Sequence, residues 1–262
     1  MIGLPRNQND AWGAQAQNWA RVQQLTTRPA FQAVLSELDP WRERTLLDIG
    51  CGAGEFVRMA SEAGAEASGV DTSEQLIGLA RRHAPDAVFY IADMENLPFP
   101  DRNFSVVTAF NSLHFAADPT RLIAEVIRVT EPDGKIVTTT RGFPSECDTF
   151  DYFLELGALL PPDTLSGRPD LSDSETLETL FTEAGLQLSP LRVILCPWEY
   201  PDLETALRGL LSTGPAVRAI QYSGRSEVTR AVIRSIDPYR RDDGSYLLNN
   251  TCHCLVATRA EY

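Results

Sequence analysis

The amino-acid sequence predicts an α/β fold of three layers, in which helices cover both faces of a mostly parallel sheet. Three observations predict it. Between residues 45 and 140, short apolar runs alternate with segments of helical period, as expected for parallel strands joined by crossover helices. Inside that stretch, Leu46-Leu47-Asp48-Ile49 runs into Gly50-Cys51-Gly52-Ala53-Gly54, and an amphipathic helix pattern follows at once. Near the end of the chain, residues 246–258 alternate like one more strand.

The elements follow in order. Residues 8–38 read as mainly helical, with Trp12 and Trp19 seven residues apart and Phe31, Val34, Leu35 and Leu38 at helical spacing. Either these aromatics pack a helix onto the core, or the segment caps a ligand site that Trp19 reaches. Leu46, Leu47 and Ile49 make a buried strand, and Phe56, Met59, Ala60 and Ala63 form one face of the next helix. Residues 66–70 form a strand ending in Asp71. Thr72 or Ser73 is a helix N-cap for residues 75–83, Glu74 adds a favourable first-turn charge, and Pro85 stops the helix. Residues 87–91 form a strand that ends at Ala92-Asp93, and 97–101 a turn-rich connection. Residues 104–110 form an almost continuously apolar strand, Asp118-Pro119 opens a helix through Val129, and Asp133-Gly134 turns into a strand over 135–140.

After Arg141 the rhythm breaks. Residues 142–172 are rich in proline and aromatics, and are predicted to be an insertion. Residues 173–184 and 186–195 resume as helix and strand. Residues 199–245 form a second insertion with two helical patterns, near 202–211 and 225–236, before the last strand.

Length and composition narrow the function. A chain of 262 residues can bury a full core. Its 36 acidic and 23 basic residues give a net charge of −13, which disfavours a nucleic-acid partner. Five cysteines without a disulfide-like spacing fit a reducing cytoplasm. The N-terminus lacks an apolar signal core, and no run approaches the roughly 18 apolar residues of a membrane span. The expected protein is therefore cytoplasmic, with no membrane partner.

The glycine loop is built to let a ligand lie against backbone, because glycine lacks Cβ. A dinucleotide fingerprint would need Gly-x-Gly-x-x-Gly, with diphosphate over the helix start. Read from Gly50 the third position is Glu55, and read from Gly52 it is Val57. A carboxylate at the helix start would repel a diphosphate. Asp48, Asp71 and Asp93 stand at strand ends and suit a ligand with positive charge, an amine and a ribose. Asp71, 21 residues after Gly50, can accept from both ribose hydroxyls, and Asp93 can accept from an adenine amine.

These residues carry a family resemblance. Leu47-Asp48-Ile49-Gly50-Cys51-Gly52-Ala53-Gly54, Val70-Asp71-Thr72-Ser73, Ala92-Asp93-Met94-Glu95-Asn96-Leu97-Pro98-Phe99, Phe104-Ser105-Val106-Val107 and Asp133-Gly134-Lys135 resemble the class I S-adenosylmethionine-dependent methyltransferases, type 11 (ubiquinone-biosynthesis-like) group. Trp12-Gly13 and Gln17-Asn18-Trp19-Ala20 also resemble that group. The resemblance is specific over about 45–140 and loose over the insertions. It implies a Rossmann-like, seven-stranded sheet whose last strand is antiparallel, in one domain over 1–262. Residues 1–40 would be a helical N-terminal cap and 41–141 the cofactor-binding core. The insertions 142–172 and 199–245 would form a substrate lid, and 246–262 would carry the last strand. The implied cofactor is S-adenosyl-L-methionine, with S-adenosyl-L-homocysteine as product. Gly50 and Gly52 would line its methionine, Asp71 with Thr72 would hold the ribose, and Asp93 and Met94 the adenine. Asn111 would lie beside the amine or sulfonium, with Trp19 over the site. Asp48 would act through the loop or through water.

Methyl transfer needs a positioned nucleophile, and a base only where the acceptor holds its proton tightly. His114, just past the strand over 104–110, is the base candidate, because an ordinary histidine pKa of about 6.5 suits the role. Its alternative is packing over the cofactor. His83 reads as a surface or helix-capping residue. Cys252-His253-Cys254 lies in a strand, so its cysteines face one way and its histidine the other. One tripeptide cannot complete a four-ligand metal site, so core packing and no metal are expected. Cys51 reads as a small filler. Phe143, Phe150, Tyr152, Phe153, Trp198, Tyr200 and Tyr222 could line an acceptor pocket, or form the lid's core or a homodimer contact. Arg141 could meet an acidic acceptor or sit in a surface ion pair. The expected activity is methyl transfer to a small organic molecule. Its rivals are a nicotinamide-dependent oxidoreductase, a cofactor-binding protein without catalysis, and a methyltransferase acting on protein or RNA.

Overall fold

The computed structural model describes residues 11–162 and 170–260. Its helices are α1 Arg28–Glu37, α2 Glu55–Glu62, α3 Glu74–His83, α4 Pro119–Val129, α5 Phe150–Ala158, α6 Ser174–Glu183, α7 Leu203–Leu210, α8 Gly214–Ser223 and α9 Arg225–Ile236. Its strands are β1 Thr45–Ile49, β2 Glu66–Asp71, β3 Val88–Ile91, β4 Phe104–Phe110, β5 Thr130–Arg141, β6 Leu186–Leu188, β7 Arg192–Leu195, β8 Trp198–Tyr200, β9 Tyr246–Leu248 and β10 Thr251–Arg259.

The main sheet runs β3-β2-β1-β4-β5-β10-β6, with β7 also paired to β10. The pairs among β1 to β5 are parallel, and β10 is antiparallel to β5, β6 and β7. β1 is central, and Leu46, Leu47 and Ile49 are completely buried because both faces of the sheet are covered. On one face Phe31, Phe56, Ile77 and Ala80 pack with Leu46 and Val106. On the other, Leu122, Val126, Leu177 and Phe181 pack with Leu47 and Val107. This is the expected three-layer α/β fold. From β1 the chain steps to β2 on one side, while β4 lies on the other. Such a reversal opens a crevice above the carboxyl ends of the strands.

Helix starts follow local chemistry. Of the two N-cap candidates it is Ser73 that accepts from Leu76 N, at 3.3 Å. Asp118, Asp173 and Asp202 cap α4, α6 and α7 in the same way.

Several expected elements differ in detail. The stretch 8–38 is helical over its described part but is not one helix. Ala16–Asn18 is a single turn, Trp19–Gln23 is a π-helical turn and Gln24–Thr27 is 3₁₀, before α1. The strand over 186–195 is broken into β6 and β7 around Pro190, which has no N–H for the ladder. Eight strand segments therefore fill the seven positions of the sheet. Asp133-Gly134 is no free turn but an irregularity inside β5. The strand over 246–258 is two strands. β9 pairs with β8 in a separate ribbon, and only β10 joins the main sheet. Between them Asn250 Oδ1 accepts from Thr149 N at 3.1 Å and from Thr149 Oγ1 at 2.7 Å. Leu248, Asn250 and Cys252 are all buried, so the alternation passes through the break unmarked.

The second insertion contains a third helix, α8, which Pro215 starts from its first turn rather than interrupts. Together α5, α7, α8, α9, β8 and β9 build a core of their own around Tyr152, Leu156, Tyr200, Leu210, Val228, Val232 and Tyr246. Residues 163–169 of the first insertion, Pro169 among them, lie outside the described residues, as do 8–10. Among the described residues, no helix is long and apolar enough to cross a membrane.

Candidate active site

The crevice is floored by the turn after β1. The N–H groups of Gly50 and Cys51 both donate to Val70 O at 2.9 Å, which folds the loop back over β2. Gly50 sits at φ +71°, and a Cβ there would lie 2.4 Å from Ser112 Cβ. Gly52, at φ +56°, would drive a Cβ to 2.6 Å from the Trp19 ring. Trp19 therefore lies directly on the loop. Trp12 meets Trp19 edge-on at 5.7 Å and Phe115 at 5.5 Å, so the N-terminal segment also touches the far side of the crevice.

Asp71 ends β2 and ties the loop down. Its Oδ2 accepts from Gly52 N at 3.0 Å and its Oδ1 from Ser73 N at 2.9 Å. Burial raises its pKa, and these backbone donors oppose the rise. Each oxygen keeps a lone pair for a further donor. Thr72, next to it, is half-buried. Asp93 stands just beyond β3, half-buried, with Oδ1 accepting from Glu95 N at 3.0 Å. Met94 is buried in the core with Ile49 and Val70.

Asn111 follows β4 at φ +50°, a conformation asparagine tolerates better than most residues. Its N–H donates to Thr139 O at 3.0 Å, while its Oδ1 is buried with no hydrogen-bond partner. A buried carbonyl oxygen left without a donor is costly, and such a group marks a place where a ligand can supply one.

Beneath the loop, Asp48 is almost fully buried and accepts from Thr108 Oγ1 at 2.7 Å. Burial pushes its pKa up to about 7, with the Asp71 charge adding to the rise. Glu55 needs a correction. It does open α2, but it pairs with Arg28 at 2.7 Å and with Arg58 at 3.0 Å. Burial would raise its pKa, yet these partners hold it below the ordinary value. Its charge is compensated, so the case against a diphosphate rests on Asp48, Asp71 and Asp93.

His114 is half-buried in the turn Leu113–Phe115, its ring 4.0 Å from Phe115. Burial, with the Arg141 charge, lowers its pKa to about 4 rather than leaving the ordinary value the sequence suggested. It is neutral near pH 7 but a weak base. His83 is exposed at the end of α3.

The insertion aromatics separate into groups. Tyr152 and Tyr200 are core residues. Tyr152 OH donates to Leu210 O at 2.8 Å, and Tyr200 OH to Gln23 Oε1 at 2.9 Å. Tyr222, Phe150 and Phe143 are exposed, and Phe153 and Trp198 are half-buried. Cys252 and Cys254 face the α1 side as expected, packed with Ala30 and Phe31 respectively. His253 is buried on the other side, between Ser174 Oγ at 2.9 Å and Glu146 Oε2 at 2.7 Å, where it pins the first insertion to β10.

Sequence reasoning missed Gln24, whose Oε1 accepts from Ala53 N at 3.3 Å, and Ser112, whose hydroxyl donates to Ile49 O at 2.6 Å. It also missed Glu95, which accepts from Ala117 N and, at 2.9 Å, from Asp118 N.

Fold and crevice are similar to those of class I S-adenosylmethionine-dependent methyltransferases, and residues 47–138 match the family described as "Methyltransferase domain". Over 98 residues it is 40% identical to the 27-O-demethylrifamycin SV methyltransferase of Amycolatopsis mediterranei, covering 35% of this chain and 36% of that protein. Over 100 residues it is 32% identical to the demethylmenaquinone methyltransferase of Renibacterium salmoninarum, covering 38% and 42%. The chain thus spans less than half the length of these two relatives. A solved structure of a putative methyltransferase from Bacillus halodurans is similar at a TM-score of 0.60 and 16% identity, covering 88% of this chain and 99% of that one. At that identity the likeness is one of fold.

The site's residues fit the family's cofactor. The orphaned Asn111 Oδ1 offers an acceptor to an ammonium group, and Asp71 can take two more donors.

Proposed function

We propose that the protein transfers a methyl group from S-adenosylmethionine to a small organic acceptor. The observation that carries this reading is the buried, unpartnered Asn111 Oδ1 at the carboxyl edge of β4, across from the glycine loop. In this reading Gly50 and Gly52 face the methionine part, Asp71 and Thr72 the ribose, and Asp93 the adenine amine. Met94 supports that end from the core, Asn111 accepts from the ammonium and Trp19 covers the loop. The bound cofactor supplies an electrophilic methyl on a sulfonium. The chain's own part is to orient the acceptor behind that methyl and to exclude water, and orientation alone is worth roughly 7–11 kcal/mol. The helical layer built from 142–172 and 199–245 serves as the acceptor's lid, and five free cysteines suit a reducing cytoplasm.

Titration calorimetry with S-adenosylmethionine, S-adenosylhomocysteine, NAD and NADP tests the cofactor. Binding of the two sulfur ligands is expected, and Asp71→Ala should weaken it by roughly 1.5–3 kcal/mol, the scale of hydrogen bonds to a charged group. Binding of NAD with none of the sulfur ligands would overturn the reading.

His114 takes the acceptor's proton where one must leave. A histidine titrating near 4 is already neutral at pH 6, so its share of the rate should not change between pH 6 and 8. His114→Ala should lower turnover by at least about threefold across that range. A smaller loss would make His114 a packing residue.

A further inference from the structure

The arginine at the end of β5 has no use in the cofactor reading. Arg141 pairs in register with Cys252 at the carboxyl edge of the sheet, one strand over from Asn111 and His114. It is half-buried, and its Cζ lies 3.9 Å from the centre of the Phe153 ring on α5. Its hydrogen bond among the described residues is a long one, from Nη2 to Ser172 Oγ at 3.5 Å. Several other arginines are satisfied. Arg28, Arg58, Arg128, Arg192, Arg230 and Arg234 each hold a carboxylate, and Arg259 donates to two backbone carbonyls. Among the described residues, none of the ion pairs includes Arg141. Asp170 is the nearby acid whose charge it feels, but Asp170 Oδ1 is taken by Ser172, from N at 2.9 Å and from Oγ at 2.6 Å.

A guanidinium carries five donors in a planar fork that fits a carboxylate with two parallel bonds. Removing it from water without a counter-ion is costly, and burial does push Arg141 below its ordinary pKa. The ring of Phe153 steadies the cation's face, and stacking there uses none of the in-plane N–H donors.

We infer that Arg141 is the receptor for a carboxylate on the methyl acceptor, with Phe153 as the platform that aims it. The inference rests on the methyl-transfer reading of this edge and names the acceptor's class: a monoanionic acid with an apolar body. A dianionic phosphate would bring a second negative charge beside Asp170, in a chain of net charge −13. The apolar body follows from the neighbours, since Phe153, which lies against the guanidinium, stands ring to ring with Trp198 at 6.2 Å.

The test uses the full chain saturated with S-adenosylhomocysteine and measures binding of phenylacetate, hexanoate and decanoate against their neutral amides. At least one acid should bind at least tenfold more tightly than its amide. Arg141→Met should erase that preference and Arg141→Lys should keep part of it, while both variants bind S-adenosylhomocysteine within about twofold of wild type. Equal binding of acid and amide, no binding of either, or a preference untouched by Arg141→Met would overturn the inference. An acid preference that depends on Arg141 in a protein that fails to bind S-adenosylhomocysteine would leave the receptor standing and remove the cofactor reading instead.

Discussion

Gly50→Ala should destabilise the domain by roughly 2–5 kcal/mol, the sum of a left-handed backbone penalty and the overlap with Ser112. Gly50 is held at φ +71°, and the added methyl would meet Ser112 Cβ at 2.4 Å and Oγ at 2.9 Å. Ser112 cannot easily withdraw, because its hydroxyl is bonded to Ile49 O. Gly185 is the internal control. It has φ +81° but nothing within 4 Å of the added Cβ. Gly185→Ala therefore carries the backbone cost alone, about 1–2 kcal/mol. Denaturant midpoints of the two variants separate conformation from collision. If they match, the packing of Ser112 under the loop is not what requires glycine at position 50.

The second large effect is electrostatic. Asp48 has its folded pKa raised from 3.8 to about 7, mainly by burial. The folded state therefore holds this proton more tightly than the unfolded chain does. The associated stability is fully present below about pH 4 and is lost as the pH rises to about 7, in total roughly 4 kcal/mol. Asp48→Asn keeps an oxygen for the Thr108 hydroxyl and cannot ionise. Its stability advantage over wild type should grow by roughly 2–3 kcal/mol between pH 5 and pH 8, read from urea unfolding at each pH. A constant difference across that range would show that Asp48 does not titrate there. The same variant bears on the ligand. A cationic group over the loop favours the ionised carboxylate, so wild-type affinity for S-adenosylhomocysteine should rise with pH through about 7, and that of Asp48→Asn should not.

How much of this was legible follows from the range over which each signal acts. The apolar run, three alternating glycines and an aspartate at the end of the next strand are local patterns, and β1, α2 and β2 form where those patterns place them. Asp71 could be placed because a strand's end is visible in sequence. Its bonds to Gly52 and Ser73 then follow from that position. The ion pairs of Glu55 were not legible, since Arg28 comes from a segment 27 residues away. The division of 246–258 between two sheets was hidden because buried residues alternate through the break. His253 was assigned to the correct face, but Ser174 and Glu146 reach it across 79 and 107 residues. Arg141 drew notice only as a charge after a strand. Its lack of a carboxylate partner among the described residues is a property of the fold.

The clasped position of the N-terminal segment bears on how the two ligands influence one another. Gln24 holds the glycine loop through Ala53, and Gln23 beside it takes the Tyr200 hydroxyl. Val22 packs where a side chain at Gly209 of α7 would stand. The junction of the π-helical and 3₁₀ turns is thus fastened both to the glycine loop and to the core of the insertions. Under the proposed methyl-transfer reading, a cofactor that tightens this segment favours the acceptor by the same free energy by which the acceptor favours the cofactor, because such coupling is reciprocal.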